Sequence, residues 1–189
     1  MGSFNANDLK KFQKELEKLD KNMDAFLQAC AKELAARLLG LVIKRTPVGD
    51  YGKSYATDED GNHVRYKSGK NKGKVKKVSV KKGGTLRRGW TSASHEEAVA
   101  KTGKKVPSNE EVMQYLNTLA VHHFGDAYVI EITNPVEYAP YVEYGHRTPD
   151  HKGWVAGHFM MSISERELKG MAPQLLEKKI AKQLRGALK

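Results

Sequence analysis

Residues 8–46 read DLKKFQKELEKLDKNMDAFLQACAKELAARLLGLVIKRT. Leu9, Phe12, Leu16, Leu19, Met23, Phe26 and Cys30 recur at a 3-4-3-4-3-4 spacing, and Leu34, Leu38, Leu41 and Val42 roughly continue it. This spacing lays one apolar stripe along an α-helix. Asn7 or Asp8 is a candidate N-cap. Pro47 disfavours helical geometry at Thr46 and closes the segment. The expected element is one amphipathic helix of about 35 residues, about 50 Å long if unbroken, with Gly40 as a point of loosening. Its stripe is expected to pack on its own domain, against a sheet, in preference to pairing with another chain as a coiled coil.

Working outward, residues 48–84 are dominated by Gly and Lys, as in Lys67-Ser-Gly-Lys-Asn-Lys-Gly-Lys-Val-Lys-Lys. Apolar spots at Val64–Tyr66 and Val75–Val80 predict a β-hairpin around this turn. Its tip has the composition of a segment that orders on a partner. Leu86 to Ser92 is expected to be a strand. Ser108-Asn-Glu-Glu111 reads as a capping box. It opens a helix through Val112, Met113, Tyr115, Leu116 and Leu119 that ends near His122. Tyr128 to Thr133 is rich in β-branched residues with alternating Tyr128, Ile130 and Ile132, a strand pattern stopped by Asn134-Pro135.

Ser164-Glu-Arg-Glu167 is a second capping-box candidate. Gly170 and Pro173 predict a break, with Pro173 in the first turn of a last helix. Leu176, Ile180, Leu184 and Leu188 line the apolar edge of that helix, and Lys178, Lys179, Lys182 and Arg185 lie outside it. The class is α+β: a small antiparallel sheet packed against a long N-terminal helix and C-terminal helices, with a basic β-hairpin insertion.

At 189 residues the chain is long enough for one domain with its own core. A hydrophobic content of 39% and a charged content of 29% fit a soluble globular protein. No run of about 18 apolar residues is present, and residues 1–8 lack the basic and apolar regions of a secretory signal. Cys30 is the single cysteine, so no internal disulfide is available. Its place on the apolar stripe reads as a small buried hydrophobe in preference to a reactive thiol. The net charge of +11 is concentrated: residues 50–90 hold twelve Lys/Arg against four Asp/Glu. Such a field favours nucleic acid or another acidic surface. Lys contacts to phosphates would be salt-dependent and carry little base information, and Tyr51, Tyr55 and Tyr66 flank the cluster as candidate stacking platforms.

No catalytic or metal pattern emerges. His122 and His123 are adjacent, and His146, His151 and His158 sit in a Gly/Pro-rich segment without a Cys or clustered acid to complete a ligand set. There is no Gly-x-Ser-x-Gly, His-Glu-x-x-His or P-loop. Asp58-Glu-Asp-Gly-Asn lacks EF-hand spacing and reads as a turn. No enzyme, cofactor or metal is expected.

The richest motif is Asn134-Pro-Val-Glu-Tyr-Ala-Pro-Tyr-Val-Glu-Tyr-Gly-His-Arg, followed by Gly153-Trp-Val-Ala-Gly-His-Phe-Met-Met. Tyrosines supply large, rigid, amphipathic contact area suited to subunit interfaces. Read as an alternating strand, the motif would put Tyr138 apart from Tyr141, one in the core and one at an interface.

Together with Thr46-Pro-Val-Gly-Asp and Gly84-Thr-Leu-Arg-Arg-Gly-Trp, these blocks resemble the tail-completion family of tailed phages and prophages, also called head–tail joining, neck or minor tail proteins. The likeness is to members of contractile-tailed phages. In that family Thr-Pro-Val-Asp-Thr-Gly runs almost directly into Leu-Arg-x-Ser-Trp. Here residues 50–83, a basic hairpin or loop, and residues 93–125, a helical segment, stand as insertions in a single domain of residues 1–189.

The resemblance implies a non-enzymatic virion protein made in the bacterial host cytoplasm. It implies a homo-oligomeric ring, typically a hexamer, in the neck or collar, with a channel that DNA crosses. The partners it implies are a head-side connector and a tail terminator or tail tube. Expected interface residues are Tyr138, Tyr141, Glu143, Tyr144, His146, Arg147 and Trp154, with Glu143 in a charge pair between subunits. Lys67, Lys70, Lys72, Lys74, Lys76, Lys77, Lys81 and Lys82 are expected to reach channel DNA or a partner. The alternatives are a tail terminator of the same assembly and a free nucleic-acid-binding protein.

Overall fold

The computed structural model describes residues 6–103 and 106–187. In chain order its elements are α1 (Ala6–Arg45), β1 (Lys53–Tyr55), β2 (Lys77–Ser79), α2 (Thr85–Gly89), α3 (His95–Ala100), α4 (Asn109–Thr118), β3 (His122–Phe124), β4 (Ala127–Val129), α5 (Ala139–Tyr144), β5 (Gly145–Arg147), β6 (Trp154–Ala156) and α6 (Met160–Ala187). This is the expected α+β class. The strands form three separate two-stranded antiparallel ribbons, β1–β2, β3–β4 and β5–β6, in place of one sheet.

α1 is the long helix that the stripe predicts. It runs through Gly40 without a break, and Asn7 and Asp8 lie inside it, so neither is its N-cap. Of the stripe, Cys30 and Val42 are buried, Leu34, Leu38 and Leu41 are half-buried, and Phe12 and Met23 are exposed; the other buried positions of α1, Ala35, Leu39 and Ile43, lie beside it. The side chains of Leu9, Leu16 and Leu19, and all of Leu188, lie outside the described residues. Burial raises the Cys30 thiol above its usual range, as fits a packed hydrophobe. The stripe packs mainly on α6 and α4, and on β4, not on a broad sheet. Ribbons with three-residue strands cannot cover a helix this long; two helices can.

Leu86 to Ser92 is not a strand. It forms the short helix α2 and the turn after it, entered through Gly84 at φ 108°. Leu86 and all of Arg88 to Ser92 are buried, so neither a helical nor a strand period shows in so short a segment. α4 has the expected capping box, with Ser108 Oγ accepting from Glu111 N at 3.2 Å and Glu111 Oε2 accepting from Ser108 N at 2.8 Å. It ends at Thr118, short of His122, because His122–Phe124 turns back on Ala127–Val129 through Gly125-Asp126. The β4 ladder therefore stops at Val129, while Ile130 and Ile132 pack on the core without ladder partners. Helices α3 and α4 lie in the 93–125 segment and supply Ala98, Val112 and Leu116 to the core.

The basic excursion also differs in detail. Its stem pairs Lys53–Tyr55 with Lys77–Ser79. Val64–Tyr66 and the residues from Val75 meet through the Arg65–Val75 bridge, and Thr57 bridges His63. Asp58–Asn62 is a turn, as read, with Asn62 N donating to Asp58 Oδ1 at 2.7 Å.

α6 begins at Met160. Ser164 is thus a turn inside it, donating to the Met160 carbonyl at 2.6 Å, and does not cap anything. The helix continues through Gly170 and Pro173. Pro173 and Lys169 are exposed, so water can satisfy the Lys169 carbonyl that a proline leaves without its amide donor.

Lys179 bridges Glu33 at 2.7 Å and Arg45 pairs with Glu167, tying α6 to α1 at two levels. Hydrogen bonds from Lys179 and then Arg37 hold the Glu33 carboxyl below its ordinary value of 4.5. A depressed carboxylate contributes stability above the unfolded-state value and loses it as pH falls through the folded one. Between about pH 6 and pH 3, the urea midpoint of the parent chain is expected to fall further than that of Glu33→Gln. Parallel curves would remove Glu33 from the account.

Candidate functional site

The three motif blocks of the sequence converge on one buried frame. Thr46, at the end of α1, is fully buried. Its Oγ1 donates to the Val42 carbonyl at 2.7 Å and accepts from Trp90 Nε1 at 2.7 Å. Its carbonyl accepts from Arg87 Nη2 at 2.6 Å and Nε at 3.1 Å. Asn134 Nδ2 donates to the Leu86 carbonyl at 2.9 Å, and Asn134 Oδ1 accepts from Val136 N at 3.1 Å. Gly89 lies against that carboxamide so closely that a Cβ would overlap it. Arg88 is buried and pairs with Glu111 on α4 at 3.2 Å. Arg87 and Arg88 therefore belong to the frame and leave the surface charge cluster.

Asn134 and Val136 launch α5, whose first turn carries Pro140, a favoured place for proline. α5 is a helix, so the alternation expected for its tyrosines does not apply. Tyr138, Tyr141 and Tyr144 recur every third residue along adjacent positions of one outward side, with exposures of 40%, 59% and 64%. Ala139 and Glu143 take the buried side.

Glu143 is thus drawn out of the expected surface set. Its carboxylate accepts from Met161 N at 3.0 Å, Ser162 N at 3.0 Å and Ser162 Oγ at 2.7 Å. These amides are orphans of the α6 N-terminus, so Glu143 caps that helix from α5. In this arrangement burial and these donors already occupy the carboxylate that was expected to pair between subunits.

Gly145 (φ 86°) reverses the chain into β5, which pairs with β6 so that His146 faces Val155 and Arg147 faces Trp154. Gly157 abuts the Glu143 carbonyl, leaving no room for a side chain. Trp154 is 62% exposed. His146 meets Tyr141 edge-on at 6.0 Å, and its Nδ1 is buried without a partner.

Between α5, the β5–β6 ribbon and the chain after α1 lies a cleft of about 270 Å³, lined among others by Val48, Tyr51, Tyr138, Tyr141, His146 and Val155. Burial there raises the Tyr138 hydroxyl above its ordinary range, with the neighbouring Tyr51 adding to it. Of the expected residues, Tyr138, Tyr141 and His146 meet in this cleft. Tyr144, Arg147 and Trp154 are exposed outside its lining. Val48 and Tyr51 complete the cleft and were not among the expected interface residues; Val48 belongs to the Thr46-Pro-Val block, and Tyr51, just after it, was read as a candidate stacking platform. The eight expected lysines, Lys67 to Lys82, are all exposed on the excursion.

Among the described residues, no group of three or more His, Cys, Asp or Glu could hold a metal ion. Among the same residues, no helix is long and apolar enough to cross a membrane. A family model described as "Bacteriophage HK97-gp10, putative tail-component" matches residues 10–145, more than two thirds of the chain. No curated protein and no solved structure matches.

Proposed function

Because this chain belongs to the HK97-gp10-like family of bacteriophage tail components, we propose that it is a neck subunit, forming a ring that completes the tail and joins it to the head-side connector. The ring is a hexamer built by head-to-tail contacts between copies, which close when the rotation fits. Its other neighbour is the tail terminator or the tube. The observation that carries this reading is the set of Tyr141, Tyr144 and Trp154, each more than half exposed on a scaffold locked from behind by Glu143, Gly145 and Gly157. Large aromatic groups on rigid supports are interface anchors that lose little entropy on contact. They do no chemistry.

Deleting the gene and imaging induced lysates by electron microscopy tests the role. Separate heads and complete tails are the expected result. Normal joined particles would reject the neck assignment. Heads beside tails of uncontrolled length would move the chain to the tail terminator, the nearest rival, which also forms a ring.

A second test reads the surface. The double variant Tyr141→Ser, Trp154→Ser is expected to keep the urea midpoint of the parent chain, since surface changes cost little. It is expected to lose the ring by light scattering. A variant that still assembles would place the contact elsewhere.

A further inference from the structure

The stem of the basic excursion keeps one register beyond its strands. Ala56 N donates to the Lys76 carbonyl at 2.8 Å and Val80 N to the Gly52 carbonyl at 3.3 Å, extending the ladder of β1 and β2 at both ends. Cross-strand partners share a face, and that face alternates along the strand. One face therefore carries three rungs: Tyr51 opposite Lys81, Lys53 opposite Ser79, and Tyr55 opposite Lys77. All six residues are exposed. Lys77 Nζ sits 5.3 Å from the centre of the Tyr55 ring and Lys81 Nζ 5.4 Å from that of Tyr51.

Among the described residues, the ion pairs involve none of these three lysines. Asp50 and Asp58 accept from the local backbone amides of Gly52 and Asn62, and among the described residues no ion pair joins either carboxylate to these lysines. The face is thus a row of unneutralised ammonium groups, two of them resting on tyrosine rings. Cation–π contact restricts the heads without quenching their charge.

We propose that this face binds the phosphate backbone of nucleic acid without sequence preference. Lysine ammoniums are point charges that bond phosphates and carry no base information. Successive rungs lie about 7 Å apart, a regular array that suits a regularly repeating polyanion better than the scattered carboxylates of an acidic protein surface. The tip lysines Lys70, Lys72 and Lys74 are in consecutive turns, outside this ladder, and play a lesser part. The inference goes beyond the neck assignment and stands without it, because a chain with no place in a neck would still bind.

The test uses the full chain and fluorescence anisotropy with a short labelled duplex and the matching single strand, between about 50 and 200 mM salt. Both forms are expected to bind. The triple variant K53E/K77E/K81E is expected to bind at least about tenfold more weakly and to lower the salt slope by about two to three. The tip variant K70E/K72E/K74E, of equal charge change, is expected to lose clearly less. Unchanged thermal midpoints establish that both variants fold.

No binding at the lowest salt, or equal losses in the two variants, would overturn the proposal. So would polyglutamate competing as well as DNA, which would make the face a dock for an acidic protein. Binding confined to the single strand and abolished by Tyr51→Leu with Tyr55→Leu would replace backbone contact with base stacking, and equally overturn it.

Discussion

Trp90→Ala is expected to lower the unfolding free energy by about 3–5 kcal/mol, a third or more of what a domain of this size commonly has. The indole is buried among the core residues, and its N–H is bonded to Thr46 Oγ1 at 2.7 Å. Removing the ring opens a cavity where α1, α2 and the Asn134 segment meet, and side chains fixed in a packed frame cannot collapse fully into it. Thr46→Val separates the polar part of this effect. It keeps the volume but leaves the indole N–H without its acceptor, at a cost of about 1–3 kcal/mol. The two changes should couple, since each removes the same hydrogen bond. Urea titrations followed by circular dichroism, with the double variant completing the cycle, measure all three terms. A Trp90→Ala loss under about 1 kcal/mol would mean that the frame does not organise the fold.

Glu143→Ala is the second large effect, expected at about 2–4 kcal/mol, because it leaves the half-buried amides of Met161 and Ser162 without their acceptor. It also removes the negative charge that faces the positive end of α6, whose own first turn has no acidic residue. Glu143→Gln retains a carbonyl acceptor without the charge and should lose roughly half as much. Hydrogen exchange gives the distinguishing readout: the first amides of α6 should exchange faster in Glu143→Ala, ahead of the amides of α1. Unchanged monomer stability with a lost ring would be the opposite result. It would return Glu143 to a contact between subunits, and the capping account would fail.

These two residues mark how far the sequence could be read. Wherever a signal is local and repeated, it was legible without the fold. The stripe from Leu9 through Val42 sets α1, because about nine turns of consistent period outweigh one glycine. Ser108 and Glu111 cap α4 because both partners lie within one turn. Asp58–Asn62 closes a turn on its own backbone, and the motif blocks carried the family. Where the segment was short or the partner distant, the sequence ran out. Leu86 to Trp90 spans too few residues for its period to show. α5 has the same difficulty, and a strand reading set its tyrosines on opposite sides.

Only the tertiary structure decided the fate of Glu143, Arg88 and Pro173. Glu143 caps a helix that starts 17 residues later in the chain, and Arg88 is neutralised by a carboxylate 23 residues away. Pro173 stays inside α6, because packing along α1 holds the helix and exposed carbonyls can turn to water. Periodicity and capping by neighbours are encoded in adjacent residues, so the sequence by itself determined the long helix, the α+β class and the family. Which charges are buried, which tyrosines face outward and what caps α6 depend on contacts between remote segments, and those exist only once the chain has closed on itself.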